Sequence, residues 1–272
     1  MTYNVLVPVD RNENRAHHQA QYVTGLPDAA ATVEATVVYV VPASRSGGGP
    51  DDFESVPSAV AAAETIESAG VAVERVLERG DVSASIIREA DERDCDELVM
   101  GGRNRSGLAT VLLGGTVQDV FLSTERPVTI TGTGMVFAEG QRDLLVPVDR
   151  DVERARHQAQ YVASLPDAPE TVSATVMYVF PHQDYRGAPE HTFEEVEAAV
   201  EAAAYLEEQG VSVERFAVGG EVVPKLLDAA AERDVTGIVV GGRKRSGVQK
   251  VLLGSTAQDI LLSAERPVTL TG

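Results

Sequence analysis

Short, wholly apolar runs alternate along the chain with segments whose apolar residues recur at helical spacing. Uninterrupted apolar runs are typical of parallel strands that are buried on both faces, and helical spacing indicates amphipathic helices. In the first half, this pattern predicts strands at residues 4–9, 33–41, 71–77, 98–100 and 128–130. It predicts helices at residues 14–24, 82–93 and 116–123. A further helix is expected to begin at Asp51-x-x-Glu54, a capping-box pattern that Thr192-x-x-Glu195 provides in the second half.

The alternation of five strands with four helices indicates an α/β fold. Such a fold has an open parallel sheet, right-handed crossovers and helices on both faces. We expect the strand order 3-2-1-4-5, in which the winding of the sheet reverses between the first and fourth strands. Ligands of open parallel sheets bind beyond the carboxyl ends of the strands at such a reversal. The residues that follow these two strands are therefore the candidates for a binding site.

The second half of the chain repeats the first. Leu6-Val-Pro-Val-Asp10 returns as Leu145-Val-Pro-Val-Asp149, and His18-Gln-Ala-Gln-Tyr-Val23 returns at the same separation as His157-Gln-Ala-Gln-Tyr-Val162. A constant separation over a whole half indicates the tandem duplication of a complete domain, not an array of small repeats. We predict a first domain at residues 1–132, a glycine-containing linker at 133–141 and a second domain at 142–272.

Composition and charge narrow the class of protein. Apolar residues make up 43% of the 272 residues, and no apolar run approaches the roughly 18–20 residues of a membrane helix. Without a signal peptide and with Cys95 as the single cysteine, the protein is expected to be cytoplasmic and to lack an intrachain disulfide. The net charge of −19 disfavours nucleic acid and anionic membrane as partners. The charge and the scarcity of lysine favour a halophilic protein, adapted to high salt; the alternative is the solvated acidic surface of a mesophilic protein.

An aspartate follows the first strand of each copy, at Asp10 and Asp149. This position suits a carboxylate that accepts a hydrogen bond from an amine or a ribose hydroxyl of a ligand. Aspartate also caps helix N-termini well, so an N-cap for the following helix is the alternative. The two roles are compatible.

A glycine-rich basic loop follows the fourth strand of each copy, at residues 101–107 and 241–247. Glycine lets a backbone approach a phosphate, and the helix after the loop offers free N–H groups at its N-terminus. The basic residues are Arg103, Arg105, Arg243, Lys244 and Arg245, and the hydroxyl-bearing residues at the helix start are Thr116, Ser255 and Thr256. This combination predicts an anion site. The alternative is that the arginines pair with surface carboxylates.

Other chemistry finds little support in the sequence. The five histidines lack metal-ligand spacing with acidic or thiol partners, and neither Ser106 nor Ser246 lies in a nucleophile elbow. The motif Gly-x4-Gly-Lys-Ser/Thr and a dinucleotide fingerprint are both missing. We therefore predict no catalytic residue and no metal ligand, and a non-enzyme is favoured over an enzyme.

Short motifs mark the strand ends of the two copies. They are Val-Pro-Val-Asp near the start of each copy, the apolar strand that ends at Gly101 or Gly241, Leu-Leu-Gly-Ser-Thr at residues 252–256, and the closing Arg-Pro-Val. With these motifs the chain resembles the universal stress protein family in a tandem two-domain form. The resemblance implies two open five-stranded sheets of order 3-2-1-4-5, similar to the adenine nucleotide alpha-hydrolase fold. Family members commonly pair through the last strand, so residues 128–130 and 268–270 are expected to form an internal pseudo-dimer, and further homo-oligomers are open.

The resemblance also implies a nucleotide site, because nucleotide-binding members carry Gly-x-x-Gly-x9-Gly-Ser/Thr. Gly101 and Gly241 match the first glycine, and Gly114 and Gly254 match the third. The middle glycine is replaced by Asn104 in the first copy and by Lys244 in the second. The Ser/Thr is Ser255 in the second copy, where the first copy has Gly115, so the second copy is the better candidate.

ATP or AMP is the ligand that the resemblance implies. Asp10 or Asp149 would contact adenine or ribose, and Val40 or Val179 would line the pocket for the base. The candidate residues of the first copy are Pro8, Asp10, Val40, Met100, Gly101, Arg103, Asn104, Gly114, Gly115 and Thr116. Those of the second copy are Pro147, Asp149, Val179, Val240, Gly241, Arg243, Lys244, Gly254, Ser255 and Thr256.

Three functions remain open at this point. The first is a stress-response regulatory module that binds ATP or AMP in the crevice between the first and fourth strands. The second is an interaction module that does not bind nucleotide and assembles through its last strands. The third is a slow ATP hydrolase, which would need a positioned base and usually a metal.

Overall fold

The computed structural model describes residues 2–43, 49–104, 111–112, 114–188, 190–242 and 254–272. The chain divides into two units, Met1–Gly140 and Gln141–Gly272, and the division falls inside the segment that the sequence predicts to be a linker. None of the described helices combines the length and the apolar character that crossing a bilayer requires. We describe each unit in turn.

The first unit contains a five-stranded parallel sheet. Its strands are β1 (Tyr3–Val9), β2 (Val33–Pro42), β3 (Ala72–Gly80), β4 (Glu97–Gly101) and β5 (Val128–Thr131). Parallel pairing joins β3 to β2, β2 to β1, β1 to β4 and β4 to β5, which gives the predicted order 3-2-1-4-5. The α/β fold class predicted from the apolar runs is therefore confirmed. The central strands are buried because helices cover the sheet, and Leu6, Leu98 and Ile130 are fully buried.

Four helices connect the strands of the first unit. They are α1 (Glu13–Thr24), α2 (Pro57–Ser68), α3 (Val82–Glu92) and α4 (Gly115–Ser123). α1 packs against α2, and α3 packs against α4. The one-turn helix Ala29–Thr32 before β2 was not predicted, because four residues are too few to show a helical period.

The start predicted for the second helix of this unit is wrong. Asp51-x-x-Glu54 does not form a capping box; instead Asp52 accepts the amide N–H of Ser55, at 2.9 Å, in a separate 3₁₀ turn. The helix begins later, at Pro57, whose missing N–H costs nothing at the first position of a helix. Val56 before it is extended and separates the turn from the helix; Val196 does the same in the second unit, where the helix begins with Glu197, so proline is compatible with this start without being its cause.

The second unit repeats this architecture. Its strands are β6 (Arg142–Pro147), β7 (Val172–Pro181), β8 (Ser212–Gly220), β9 (Gly237–Gly241) and β10 (Val268–Thr271). Its helices are α5 (Val152–Ser164), α6 (Glu197–Glu208), α7 (Val222–Glu232) and α8 (Ser255–Ser263), with a one-turn helix at Ala168–Thr171. The strands are parallel in the order β8-β7-β6-β9-β10. The capping box of Thr192 and Glu195 is confirmed, at the 3₁₀ turn Phe193–Glu195 that precedes α6.

A short antiparallel ribbon interrupts the loop that follows β4. Arg103–Asn104 pairs with Val111–Leu112, with Arg103 opposite Leu112. The sequence predicts only a loop in this region, since two-residue strands leave no alternating pattern. The corresponding residues of the second copy, 243–253, lie outside the described part of the chain.

The predicted linker contacts the first unit at several points, near Gly25 and His18. Met135 is buried, and the amide N–H of Gly140 donates to the carbonyl oxygen of Gly25 at 3.1 Å. Phe137 stacks on the ring of His18, with ring centroids 5.8 Å apart and planes 19° apart. A Cβ atom on Gly25 would collide with the carbonyl oxygen of Ala138, so glycine is required where the segment passes the end of α1.

Candidate ligand-binding site

In each unit the two central strands separate near their carboxyl ends and leave a fork. β1 pairs with β4 only at Val5 with Glu97 and Leu6 with Leu98, and β6 pairs with β9 only over the two equivalent residues. The backbone carbonyls beyond these pairs lack strand partners across the fork. Buried carbonyls need donors, so the fork must be filled by polar side chains or by a ligand.

A buried glutamine closes the base of each fork. In the first unit, Nε2 of Gln19 donates to the carbonyl oxygens of Pro8 and Val99, each at 2.7 Å. In the second unit, Nε2 of Gln158 donates to Pro147 at 2.8 Å and to Val239 at 2.7 Å. Each amide therefore links the ends of the two separating strands and holds the crevice open at a fixed width.

An arginine on the following helix pairs with the aspartate above the glutamine. In the second unit, Nη2 of Arg154 lies 2.7 Å from Oδ2 of Asp149, and its Nε donates to Oδ1 at 3.4 Å. In the first unit, Arg15 makes the same two-point contact with Asp10, its Nε donating to Oδ1 at 3.3 Å. Two-point contacts between guanidinium and carboxylate fix orientation as well as charge. The aspartate of each crevice is therefore ion-paired, and in the second unit Arg154 also lies 3.0 Å from a second carboxylate, that of Asp151.

The N-cap alternative for Asp10 and Asp149 is wrong by two residues. Asn12 caps α1 by accepting the amide N–H of Arg15 at 2.9 Å, and Asp151 caps α5 by accepting that of Arg154 at 3.1 Å. Asp10 and Asp149 instead accept the amide N–H of the capping residue, each at 2.9 Å. They stabilise the turn that leads into the helix, because Asn and Asp side chains bond readily to backbone two residues ahead.

The first glycine of each motif makes room for this arginine. A Cβ on Gly101 would lie 3.0 Å from Cβ of Arg15 and 3.2 Å from Oε1 of Gln19. A Cβ on Gly241 would lie 3.0 Å from Oε1 of Gln158 and 3.2 Å from Cδ of Arg154. The glycine is therefore needed for close approach of the α1 or α5 side chains, a reason independent of any phosphate.

The crevice of the first unit is a cavity of about 570 Å³. Among the predicted residues it is lined by Pro8, Asp10, Val40, Met100, Gly101, Gly114 and Thr116. Gly115 is the first residue of α4 and is not part of the cavity wall. Arg103 and Asn104 belong to the short ribbon, and their side chains are outside the described structure.

The crevice of the second unit is a cavity of about 210 Å³. Eight predicted residues line it: Pro147, Asp149, Val179, Val240, Gly241, Gly254, Ser255 and Thr256. Arg243 and Lys244 fall outside the described residues. The early aspartate and the first and third motif glycines therefore meet in one cavity in each unit.

The start of a helix forms one wall of each cavity. Gly114 and Gly254 are the N-caps of α4 and α8, and neither helix has a side-chain cap among the residues that the structure describes. Helix N-termini that lack caps present free N–H groups and the positive end of the helix dipole. Ser255 and Thr256 add hydroxyls in the second unit, whereas the first unit has Thr116 alone. Both walls suit an anion, and the second offers more donors.

Many cavity residues were not predicted from the sequence. They include the arginines Arg11, Arg15 and Arg154, the glutamines Gln19 and Gln158, the apolar pairs Val82 with Ile86 and Val222 with Leu226, and the tyrosines Tyr39 and Tyr178. Arg150 donates to the hydroxyl of Tyr178 at 3.0 Å, and this bond raises the pKa of Arg150. The glutamines were detectable, since Gln19 and Gln158 occupy the same place in the repeated His-Gln-Ala-Gln-Tyr-Val segment.

Two further features of the described residues concern metal ligands and arginine–carboxylate pairs. In that part of the chain, no three His, Cys, Asp or Glu side chains cluster as metal ligands would. Surface arginines outside the loops do pair with carboxylates, as Arg75 does with Glu67 and Arg215 with Glu207. The loop arginines Arg105, Arg243 and Arg245 lie outside the described residues. Ser106 and Ser246 lie there too.

Comparison with known proteins places these features in a family. A model of the universal stress protein family matches the chain twice, at residues 1–132 and 141–272. Over 66 residues the chain is 42% identical to a universal stress protein of Mycolicibacterium smegmatis, which covers 24% of this chain and 51% of that protein. Over 91 residues it is 33% identical to the universal stress protein YxiE of Bacillus subtilis, which covers 30% of this chain and 62% of that protein. The chain thus spans about half to three fifths of the length of these relatives.

A solved structure extends the likeness over the full chain. The crystal structure of a universal stress protein from Archaeoglobus fulgidus superimposes with a TM-score of 0.71, covers 98% of this chain and 97% of that one, and is 21% identical in sequence. At this identity the match establishes a shared fold. Since the family model covers nearly every residue in two copies, the chain belongs to the universal stress protein family and carries two of its domains in tandem.

Proposed function

We propose that the protein is a non-catalytic regulatory module that binds an adenine nucleotide, ATP or AMP, in the crevice between the two central strands of a unit. The observation that carries the proposal is the meeting of three features in one cavity. These are the end of the first strand with its Asp–Arg pair, the first motif glycine, and the N-terminus of α4 or α8. Binding of a charged ligand at a helix N-terminus follows from its free N–H groups and dipole.

The cavity walls have two chemically different parts, as a nucleotide has. In the second unit, Val148, Met177 and Val179 are apolar and suit the faces of a base. Ser255 and Thr256 lie at the N-terminus of α8 and suit a phosphate. Ligand sites typically combine an apolar lining with a few convergent polar groups. Adenine, as the particular base, is supported by the family resemblance.

The second unit is proposed as the principal site. It has Ser255 where the first unit has Gly115, so it offers one more hydroxyl to an anion. Its described cavity is the smaller one, and its walls include Gly241 and Gly254, which border the stretch outside the described residues. The 570 Å³ cavity of the first unit lies in the ordinary range for small-molecule sites, roughly 300–1,000 Å³.

Calorimetric titration in concentrated potassium chloride tests the proposal. Titration with ATP or AMP is expected to give a saturable heat signal. Ser255→Ala is expected to weaken ATP binding at least about tenfold, because a hydrogen bond to a charged group contributes about 1.5–3 kcal/mol. Ser263→Ala is the matched control, since Ser263 is exposed at the other end of the same helix. Absence of heat with both nucleotides would remove the proposed function.

The interaction module is retained as a second candidate because the two copies are unequal. The first copy lacks the motif serine and has Asn104 in place of the middle glycine, so its crevice is less suited to an anion, as expected of a domain used in assembly. The internal pseudo-dimer through the last strands, implied by the family resemblance, is part of this proposal. If the wild-type protein assembles with a partner while nucleotide has no effect on that assembly, this candidate is favoured.

Slow ATP hydrolysis is the weakest of the three. Both oxygens of Asp149 already contact Arg154, so this carboxylate is a poor general base. This candidate would be supported by an activity that releases inorganic phosphate from ATP, copurifies with the protein and is lost in the Asp149→Asn variant. The cytoplasmic location stays a prediction.

A further inference from the structure

The aspartates of the two crevices have little hydrogen-bonding capacity left for a ligand. Oδ1 of Asp149 accepts from the amide of Asp151 at 2.9 Å and from Nε of Arg154 at 3.4 Å, and Oδ2 lies 2.7 Å from Nη2 of Arg154. An ionised carboxylate has about four acceptor sites, so three are occupied. The first unit repeats these three contacts around Asp10.

The arginines, in contrast, keep unused donors. A guanidinium has five N–H groups, of which Arg154 directs Nε and Nη2 to Asp149 and Asp151. Its Nη1 group has no hydrogen-bond partner among the described residues, and the same holds for Nη1 of Arg15. Both side chains line their cavities and are partly exposed, at 23% for Arg15 and 19% for Arg154.

The position of the arginines matches that of the anion site. The stem of each arginine lies against the first motif glycine, where a Cβ would come within 3.0 Å of Arg15 or 3.2 Å of Arg154. The guanidinium is thereby held at the carboxyl end of β4 or β9, in the same cavity as the N-terminus of α4 or α8. In the described wall of the second cavity, Arg154 is the one cationic side chain.

We infer that Arg15 and Arg154 are the anion-contacting side chains of the two crevices, and that Asp10 and Asp149 are positioning residues that orient them. The inference rests on the proposed function and deepens it, because it requires the ligand to carry a phosphate or an equivalent anion. A nucleoside without phosphate would miss this contact. It also moves part of the anion site from the glycine loop to the first helix of each unit.

A double variant separates this inference from the proposed function. Arg15→Ala with Arg154→Ala removes both guanidinium groups, and Arg75→Ala with Arg215→Ala is the matched control. The control arginines are also in two-point contact with carboxylates, Glu67 and Glu207, and do not line either cavity. Both double variants change the net charge equally, so long-range electrostatics cancels in the comparison.

Calorimetric titrations with ATP and with adenosine provide the readout. We expect the Arg15/Arg154 variant to bind ATP at least about tenfold more weakly, which corresponds to the loss of one charge-assisted contact, and adenosine within about twofold of wild type. The control variant should bind both as wild type does. Circular dichroism identifies any variant that fails to fold; in that case Arg15→Lys with Arg154→Lys replaces it, and it should bind ATP more weakly than wild type does while binding adenosine equally well, because lysine lacks the planar fork of the guanidinium.

Each outcome has a definite meaning. If wild type binds neither ATP nor AMP, the proposed function fails and the inference fails with it. If wild type binds ATP and the Arg15/Arg154 variant binds it equally well or more tightly, the inference alone fails, and tighter binding would show that the arginines occupy the ligand's place. An equal loss of ATP and adenosine affinity also overturns it, because the arginines would then act on the shape of the cavity and not on the anion.

Discussion

At the residue scale, the site depends on polar side chains of the first helix of each unit, which the sequence pattern would assign to the solvent-facing side. Arg15 and Gln19 are four residues apart, so they lie on one face of α1. That face is turned to the fork between β1 and β4, where Gln19 is buried and bonds to two backbone carbonyls. The polar face of an amphipathic helix is ordinarily expected to contact solvent. Here part of that face lines the crevice.

The substitution Gly115→Ser tests the difference between the two units. A Cβ on Gly115 would meet nothing within 4 Å, so the larger residue should be accommodated without loss of stability. The hydroxyl would then occupy the position that Ser255 has in the second unit, and affinity of the first unit for ATP should rise several-fold. Calorimetric titration of the Gly115→Ser/Ser255→Ala chain, compared with that of Ser255→Ala alone, measures the change in the first unit against a weakened second unit.

Gly101→Ala serves as the contrasting change. Its Cβ would lie 3.0 Å from Arg15, so both the free energy of unfolding and ATP affinity should fall. If Gly115→Ser lowered stability as much as Gly101→Ala does, the geometry assigned to the start of α4 would be incorrect.

The pH dependence of stability should carry the signature of His18. Its pKa is lowered below 6.5 by burial and by the nearby His17, and its buried Nδ1 has no hydrogen-bond partner among the described residues. Because the unfolded chain then binds the proton more readily than the folded one, stability is present above pH 6.5 and is lost as the pH falls through the lower, folded-state pKa. Urea unfolding at pH 5 and pH 7 should show this loss in wild type and a smaller one in His18→Gln.

His157 is the natural control for this measurement. It occupies the equivalent position on α5 and is exposed, so His157→Gln should leave the difference between pH 5 and pH 7 as in wild type. Equal effects of the two substitutions would contradict the assignment of the pH dependence to the burial of His18.

At the element scale, strands that are buried on both faces were predicted well, and edge elements less well. β1, β2 and β4 consist largely of apolar residues, because helices cover both faces of the sheet. β3 continues to Gly80, three residues beyond its predicted end, and its last part contains Glu78 and Arg79. It lies at the edge of the sheet of its unit, where charged side chains reach solvent, so the apolar pattern ends before the strand does.

The candidate site was predictable to the extent that the chain repeats itself. Strand ends, the early aspartates and the first and third glycines recur in both copies, and the structure places them in one cavity per unit. The role of each aspartate was not predictable, because pairing with Arg15 or Arg154 depends on the angle at which the first helix crosses the strand end. Sequence spacing does not contain that angle.

The stability of the fork between the two central strands of the second unit is expected to depend on Gln158. Gln158→Met keeps the size of the side chain but removes both donors from buried carbonyls of Pro147 and Val239. We expect the free energy of unfolding to fall by about 2 kcal/mol, since buried acceptors would lose their partners. Denaturant unfolding measures this directly.

Gln160→Met is the control for that change. Gln160 lies on the same helix and is exposed, so its substitution should change stability by less than about 0.5 kcal/mol. Equal effects of the two substitutions would show that the fork does not depend on the buried amide.

At the scale of the whole molecule, the net charge of −19 is the dominant feature. Like charges on a folded chain repel one another and oppose the compact state, and salt screens them over about 10 Å at 0.1 M and about 3 Å at 1 M. The exposed ion pairs, such as Arg75 with Glu67, contribute little and are screened as well. We therefore expect concentrated salt to favour the folded state.

Thermal unfolding in increasing potassium chloride tests the proposed adaptation to salt. The midpoint is expected to rise between about 0.1 and about 2 M, with the steepest part at the low end, where the screening length changes most. A non-ionic osmolyte at matched osmolality should give a smaller rise. A midpoint that is constant or falls with salt would favour the ordinary acidic surface of a mesophilic protein.

The most direct test of the account is a crystal structure of the intact chain grown with saturating ATP in concentrated salt. We expect the base against Val179 and Val240, and the phosphates between Arg154 and the N-terminus of α8 at Ser255. Empty crevices at a concentration that saturates the calorimetric signal, or ATP bound away from both of them, would contradict the central claim that these cavities are nucleotide sites.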